Sequence, residues 1–472
     1  MTLPDGSTAQ VHVQNAVVEV WGGVFNDPGA GWIPGTGTLL WPGTRVYLQT
    51  EAAGADAGAG AELEASRVRI IGEPSAERVK LLQLPELQAA ADAGAALALL
   101  GSRRTPGVYL LGADGKAQQL WQYENSAGWL SGDPNAGFVL AEPPAAGGLA
   151  AFTWLRNDGS GLQIFAQPYH ALQGVAGDAY GGLWWIETPQ ATLDQWQLWH
   201  YDPVTAAISL SVQATGALFD GAEGAQDGVQ RTPLLLAVQP VTAGDSSNVV
   251  LFVDTYDGAA QQPYTGFYRL AVRSGEGGAA QVGGGPLLLL EAGQYRGPLV
   301  VSPDLKRLAY FAYDAAVPSL TSGTVKPPNT VNLLTLAGEG GSLVRTVYTS
   351  ETRFEFVAPQ VAWQGADRLL LARSRFGSAG TNSLDRFSLV EVQLPPDSTA
   401  GAEIAASSYL LPRQQSLLDF AACSDGSALL LTRDAAGTQA LARWLGQGQS
   451  RALFGLPAQL DRTLLCWRAG AE

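Results

Sequence analysis

From about residue 97 to the end of the chain one unit recurs: an apolar run, a polar or glycine-rich turn, then a second run in which aromatic and aliphatic residues alternate. The runs are short, bounded by turns and rich in Val, Trp and Tyr, with no sustained 3.6-residue period. They read as antiparallel strands and argue against a helical solenoid. A two-strand unit cannot bury both of its faces alone, so every copy requires neighbours on both sides. Seven copies can be followed: 96–100 with 107–111, 150–155 with 162–165, 182–186 with 196–201, 249–253 with 266–272, 302–311 with 330–336, 361–372 with 387–392, and 420–431 with 438–444. Their spacing of roughly 50 to 60 residues matches four-stranded blades. The expectation is an all-β chain, with a seven-bladed β-propeller over residues 92–472. The apolar run Leu464-Leu465-Cys466-Trp467 is expected to be the strand that closes the ring beside an N-terminal strand of the propeller.

The first part of the chain has another rhythm. Val11, Val13, Val18, Val20, Val24 and Phe25 fall in short strand-like runs, punctuated by Gly22-Gly23 and Asn26-Asp27-Pro28-Gly29. This predicts a small β domain over 1–74. A connecting segment over 75–91 follows, in which Pro85 interrupts the main helical candidate of the chain. The stretch 54–60 holds only Gly, Ala and Asp, which restrict the backbone little, and is expected to be a mobile loop.

Two resemblances add to these patterns. The succession Val18, Val20, Val24, Trp32, Pro34, Leu39, Gly43, Val46, Thr50, Ala61 and Leu63 resembles the extracytoplasmic domain of FecR-like proteins. That resemblance implies an extracytoplasmic sensor or a cell-envelope association. Val301-Ser302-Pro303-Asp304-Leu305-Lys306-Arg307-Leu308-Ala309-Tyr310 and Cys423-Ser424-Asp425-Gly426-Ser427-Ala428-Leu429-Leu430 resemble the blade motif of TolB-like and WD40-like propellers. The second resemblance implies a fold rather than an activity, because the scaffold hosts binding proteins and enzymes alike. Asp304 and Asp425 read as turn residues whose carboxylates accept backbone N–H groups.

Composition narrows the partners. A net charge of -15 opposes nucleic acid and anionic membranes, and only 15% of residues are charged. No run has the length and apolarity of a membrane span, and the first ten residues lack the pattern of a signal peptide. Membrane association is therefore expected only through a segment absent from this chain. The two cysteines, Cys423 and Cys466, fit a disulfide between neighbouring strands or two buried thiols equally well.

No constellation reaches a catalytic signature. The three histidines, His12, His170 and His200, stand in no metal-ligand spacing. Asp254-Thr255-Tyr256-Asp257-Gly258 reads as a structural turn, with calcium binding as the weaker reading. There is no G-x-S-x-G elbow, Gly283-Gly284-Gly285-Pro286 lacks the lysine of a phosphate loop, and His200 with Asp202 reads as a strand-edge pair. Glu187, Asp194, Asp254 and Asp257 supply carboxylates. Trp184, Trp185, Trp196 and Trp199 supply rings that could stack on sugars, although their placement favours burial between blades. No catalytic, cofactor-binding or metal-binding residue is assigned, and no cofactor is expected. The functional expectation is a noncatalytic binding or scaffold module. It would recognise a protein or glycan through a loop-bearing face supplied by 212–231, 315–329 and 374–386. The alternative is a propeller hydrolase acting on carbohydrate or peptide.

Overall fold

The computed structural model describes residues 10–12, 17–21, 32–35, 46–50, 62–70, 79–82, 96–102, 107–111, 117–121, 129–133, 137–142, 151–155, 161–167, 170–178, 181–189, 195–204, 207–220, 229, 231–241, 248–258, 262–274, 280–282, 285–317, 326–336, 344–376, 384–395, 404–411, 415–423, 426–446, 449–455 and 462–468. Among them strands dominate, and the one helical element is a short 3-10 turn at Gly216–Asp220.

A first sheet joins β1 (Gln10–His12), β2 (Val17–Trp21), β3 (Trp32–Gly35), β4 (Val46–Thr50) and β5 (Glu62–Ile70), with β5 parallel to both β1 and β2. The strands that follow are β6 (Val79–Leu82), β7 (Ala96–Ser102), β8 (Gly107–Leu111) and β9 (Ala117–Trp121). Next come β10 (Trp129–Asp133), β11 (Gly137–Glu142), β12 (Ala151–Leu155) and β13 (Gly161–Phe165), which form an antiparallel sheet with β6 on its edge. Three antiparallel sheets then run in chain order. The first holds β14 (His170–Gly177), β15 (Leu183–Pro189), β16 (Gln195–Asp202) and β17 (Ala207–Thr215). The second holds β18 (Arg231–Pro240), β19 (Val249–Asp257), β20 (Gln262–Ser274), β21 (Ala280–Val282) and β22 (Leu287–Glu291). The third holds β23 (Val300–Val301), β24 (Arg307–Ala312), β25 (Thr330–Thr335) and β26 (Val344–Thr349). Two more follow the same plan: β27 (Glu355–Gln364), β28 (Arg368–Phe376), β29 (Leu384–Gln393) and β30 (Ala405–Leu410), then β31 (Ser416–Ala422), β32 (Ala428–Arg433), β33 (Gln439–Gly446) and β34 (Gln449–Gly455).

The last strand, β35 (Arg462–Arg468), turns back to the start of this array and pairs antiparallel with β7, Cys466 opposite Ala98 and Trp467 opposite Leu97. The sheet it completes is β35-β7-β8-β9. The run expected to pair with an early strand of the array is therefore a strand, and β7 is its partner.

Side-chain alternation explains why the sheets stack face to face. Along β19, Val249, Leu251 and Val253 point into a cluster with Trp184, Ile186, Trp196 and Leu198 of the preceding sheet. Val250 and Phe252 point into another with Leu308, Tyr310 and Leu334 of the following sheet. Each buried aliphatic or aromatic side chain stabilises the stack by about 1.5–3 kcal/mol. First strands of neighbouring sheets also pack together: β14 on β18, β18 on β23, β27 on β31 and β31 on β35. The β14–β18 approach is close enough to require glycine. Gly174 has φ +83, and a Cβ there would lie 2.2 Å from the Leu235 carbonyl oxygen. The result is a propeller-like array of stacked antiparallel sheets.

Several expectations change. Val79–Leu82, inside the stretch read as a connection with helical character, is a strand paired to β13, Leu81 opposite Leu162. Asp254 to Asp257 belong to β19 rather than to a turn. Residues 374–376 and 384–386 extend β28 and β29, and 212–215 end β17, so those parts of the expected loop face are strand. The 54–60 loop, Asp194, Gly283-Gly284, Asp425 and the middle parts of the three expected loops lie outside the described residues.

Candidate functional site

In an antiparallel sheet the first strand begins, and the second ends, at the same end. On the sheet of β18 to β22 that end carries Asp254, near the close of β19, and Tyr264, near the start of β20. The connection from β22 to β23 brings Tyr295 there. Asp254 occupies the same file as Val250 and Phe252, so alternation carries a carboxyl into an apolar interface, where it is 6% exposed. Its Oδ1 accepts the Thr255 N–H at 2.9 Å and the Tyr295 hydroxyl at 2.5 Å. Oδ2 has no hydrogen-bond donor among the described residues. Burial pushes the carboxyl up to about 6, against the opposing pull of the bonds from Tyr295 and Thr255. Burial, with the nearby Asp254 charge, also raises both Tyr295 and Tyr264, so the two phenols keep their protons.

The hairpin beside this carboxyl is irregular. The β19–β20 register shifts between Thr255 and Asp257, and Tyr264 adopts φ 65, a left-handed conformation unusual for an aromatic residue. Such a backbone costs on the order of 1–3 kcal/mol and persists only where its surroundings hold it. Here the Tyr264 ring meets Tyr295 edge-on at 5.4 Å. The Thr265 hydroxyl donates to Thr255 Oγ1 at 2.9 Å, and the Thr255 hydroxyl donates to the Gly266 carbonyl at 2.8 Å. The conformation places a tyrosine against the buried acid.

The preceding sheet carries a second acid at the corresponding end. Glu187, fully buried on β15, accepts Trp185 Nε1 at 2.7 Å and the Gln167 N–H at 3.0 Å, and lies 3.1 Å from His170 Nδ1. Its neighbour Thr188 accepts Gln173 Nε2 at 3.0 Å, and Gln173 also bonds the Tyr256 side chain, tying this end of the sheet to β19.

The other sequence candidates are structural. Trp184, Trp185, Trp196 and Trp199 are buried between sheets. His200 stacks on Trp184 at 4.1 Å, and its pKa is lowered by burial against the opposing charges of Asp178 and Asp202. Asp178 takes the Gly182 N–H and Trp184 Nε1, both at 2.8 Å, and Asp202 accepts the Val204 N–H at 2.9 Å. Asp304 accepts the Ser302 hydroxyl at 2.6 Å and the Lys306 N–H at 3.2 Å, as its turn role requires. Of the four carboxylates singled out in the sequence, Asp254 and Glu187 are buried at the rim, and Asp257 lies at the less buried end of β19. Tyr264 and Tyr295 were not among the candidates. Tyr295 is 41 residues from the acid it bonds.

No protein-family model matches the chain, and no curated protein matches it. The FecR-like reading of the N-terminal segment accordingly has no family match behind it. Among solved structures, the chain is similar to the periplasmic gluconolactonase of Pseudomonas aeruginosa, at 13% identity and TM-score 0.44, over 79% of this chain and 99% of that one. It is similar to a Bacteroides uniformis protein provisionally assigned as a 6-phosphogluconolactonase, at 11% identity and TM-score 0.41, over 78% and 98%. TolB from Acinetobacter baumannii is similar at 9% identity and TM-score 0.31, over 64% and 61%. The expectation of a noncatalytic binding or scaffold module is corrected: two of the similar solved structures are described as lactonases, the class of the hydrolase alternative. Likeness this distant transfers no activity, so a case for catalysis has to stand on the acid and the tyrosines at the rim.

Proposed function

We propose that this protein is a hydrolase acting on a carbohydrate, with Asp254 as its proton-transfer group. One observation carries the reading: a carboxyl placed in an apolar interface titrates at about 6, with one oxygen fixed by two donors and the other left without one. A group titrating near the working pH is the most effective general base and acid. As the carboxylate, Asp254 takes a proton from water while the water oxygen bonds to the acyl carbon of a sugar ring ester. It returns that proton to the ring oxygen as the acyl C–O bond breaks, so one group serves both steps. Tyr264, held protonated beside the acid, is the donor for the oxygen that becomes negative in between. Glycosidic cleavage suits the site less well. It requires two carboxyls flanking one bond, and the titration of Asp254 is set by burial, Tyr295 and Thr255, with no second acid contributing.

The finer architecture belongs to the same proposal. The sheets that follow the N-terminal one form a seven-bladed ring closed by β35 on β7, and residues 1–74 form a separate small β domain. The chain 75–91 links the two and lends β6 to the ring. Supporting this are the sheet order, the packing of consecutive first strands and the late pairing of Cys466 with Ala98.

The test is hydrolysis of a panel of sugar lactones, followed by pH-stat, by the wild-type protein and by Asp254→Asn. The side-chain amide keeps an oxygen for Tyr295 and Thr255 but cannot take a proton. Turnover should fall by about 10²–10⁴-fold. Equal turnover by the two proteins, or no turnover of any panel member by the wild type, would overturn the proposal.

A further inference from the structure

Next to Tyr295 in the chain, Arg296 belongs to an unusual arrangement of charge. Its guanidinium lies 5.7 Å from the centre of the Tyr313 ring, and Lys326 Nζ lies 4.9 Å from the centre of the same ring. Arg296 Nη1 donates to the Lys326 carbonyl at 3.2 Å, which fixes the two residues relative to each other. The turn is fixed too: the Arg296 N–H donates to the Phe311 carbonyl at 2.7 Å, and Gly297, at φ +108, packs so closely that a Cβ there would meet Pro359 at 3.1 Å.

Two cations around one ring repel each other. Cation–π attraction of about 0.5–1 kcal/mol apiece offsets only part of that repulsion and of the ordering of two long side chains. In a chain with 43 acids and 28 basic residues the ordinary remedy is a carboxylate. None is supplied: neither Arg296 nor Lys326 forms an ion pair among the described residues. The acid nearest in sequence to the ring, Asp314, accepts the Ala316 N–H at 2.8 Å instead. Arg296 is half-buried and Lys326 exposed, so an incoming anion can reach both.

The pair also adjoins the site along the chain. Tyr295 and Arg296 are consecutive, so the loop that fixes Asp254 also carries the guanidinium. Tyr313 follows β24 and Lys326 precedes β25, at the end of the next sheet where its second strand closes and its third begins.

We propose that Arg296 and Lys326 form an anion subsite that holds the acidic group, a carboxylate or a phosphate monoester, of the carbohydrate hydrolysed at Asp254. This rests on the function proposed above. The substrate class is then an anionic sugar derivative, with the planar guanidinium and the ammonium sharing its oxygens.

Calorimetric titration of the wild-type protein with a hexuronate, a hexose monophosphate and the neutral hexose tests the subsite without requiring turnover. One of the two anions should bind at least about tenfold more tightly than the neutral sugar, and which one does so identifies the acidic group. The double variant Arg296→Gln, Lys326→Gln should bind all three alike. With the matching substrate, its KM should rise about tenfold and kcat should stay within about twofold. A circular-dichroism melt superimposable on the wild type checks that the variant is folded. Equal affinity for neutral and anionic sugars, no binding of either anion, or unchanged anion affinity in the folded double variant would overturn the subsite. Asp254→Asn separates the two proposals. If it turns substrate over normally while anion affinity depends on Arg296 and Lys326, the catalytic reading fails and the subsite stands. If it abolishes turnover while the double variant binds as the wild type does, the subsite fails alone.

Discussion

At the scale of single residues, Asp254 links function to stability. Its carboxyl titrates at about 6 in the folded protein and near 3.8 when unperturbed, so folding favours the protonated form. The associated stability is fully present below about pH 4 and is lost as pH rises through about 6. By pH 8 the ionised, buried carboxylate costs on the order of 3 kcal/mol. Asp254→Asn has no charge to bury and keeps the accepting oxygen. In urea denaturation it should be more stable than the wild type at pH 8 by roughly that amount, and about equal to it at pH 4. A gain of the same size at both pH values would refute the placement of the charge. Part of this residue was legible in the sequence, since an aspartate closing the apolar run Val249 to Val253 breaks the local pattern. What it does there was not legible. Its donor comes from another connection of the fold, and the left-handed backbone of Tyr264 leaves no trace in composition.

At the scale of elements, the paired runs in the sequence correspond to strands because alternation and Asp-Gly or Asn-Asp-Gly turns are local signals. The strand at Val79–Leu82 is the counterexample. Val-Lys-Leu-Leu is too short to show a period, and its conformation is set by pairing with Gly161 to Ile164, some 80 residues on. The closing strand was legible as an apolar run at the end of a turn-rich tail, and its register was not. A disulfide is expected to strengthen that pairing. Cys423 is disulfide-bonded, Cys466 in β35 is the other cysteine of the sequence, and β31, which ends just before Cys423, packs on β35. A crosslink across a loop of roughly 40 residues stabilises by about 4 kcal/mol in the chain-entropy model. Unfolding under reducing conditions should therefore begin about 5 °C lower than under oxidising ones, with no free thiol detected in the oxidised, denatured protein. Two titratable thiols before reduction would contradict the link.

At the scale of the whole molecule, stacking antiparallel sheets side by side brings the second-strand ends of several sheets to one end of the array. Residues far apart in sequence are in this way brought to corresponding sheet ends: Glu187 on one sheet, Asp254 with Tyr295 on the next, and Arg296 with Lys326 beyond it. The repeat was legible because every unit needs neighbours on both faces. The site was not, because each sheet contributes one or two residues and no motif spans them. The claim that this end of the array performs acid–base hydrolysis is tested most directly by the pH dependence of kcat/KM on a sugar lactone in the wild type and in Tyr295→Phe. The ionised carboxylate is the active form, so wild-type activity should rise with pH through a midpoint of about 6. Removing the Tyr295 hydroxyl takes away a donor that favours that ionised form, and the midpoint should move to higher pH. An acid limb with its midpoint near 4, or one that Tyr295→Phe leaves in place, would contradict the account.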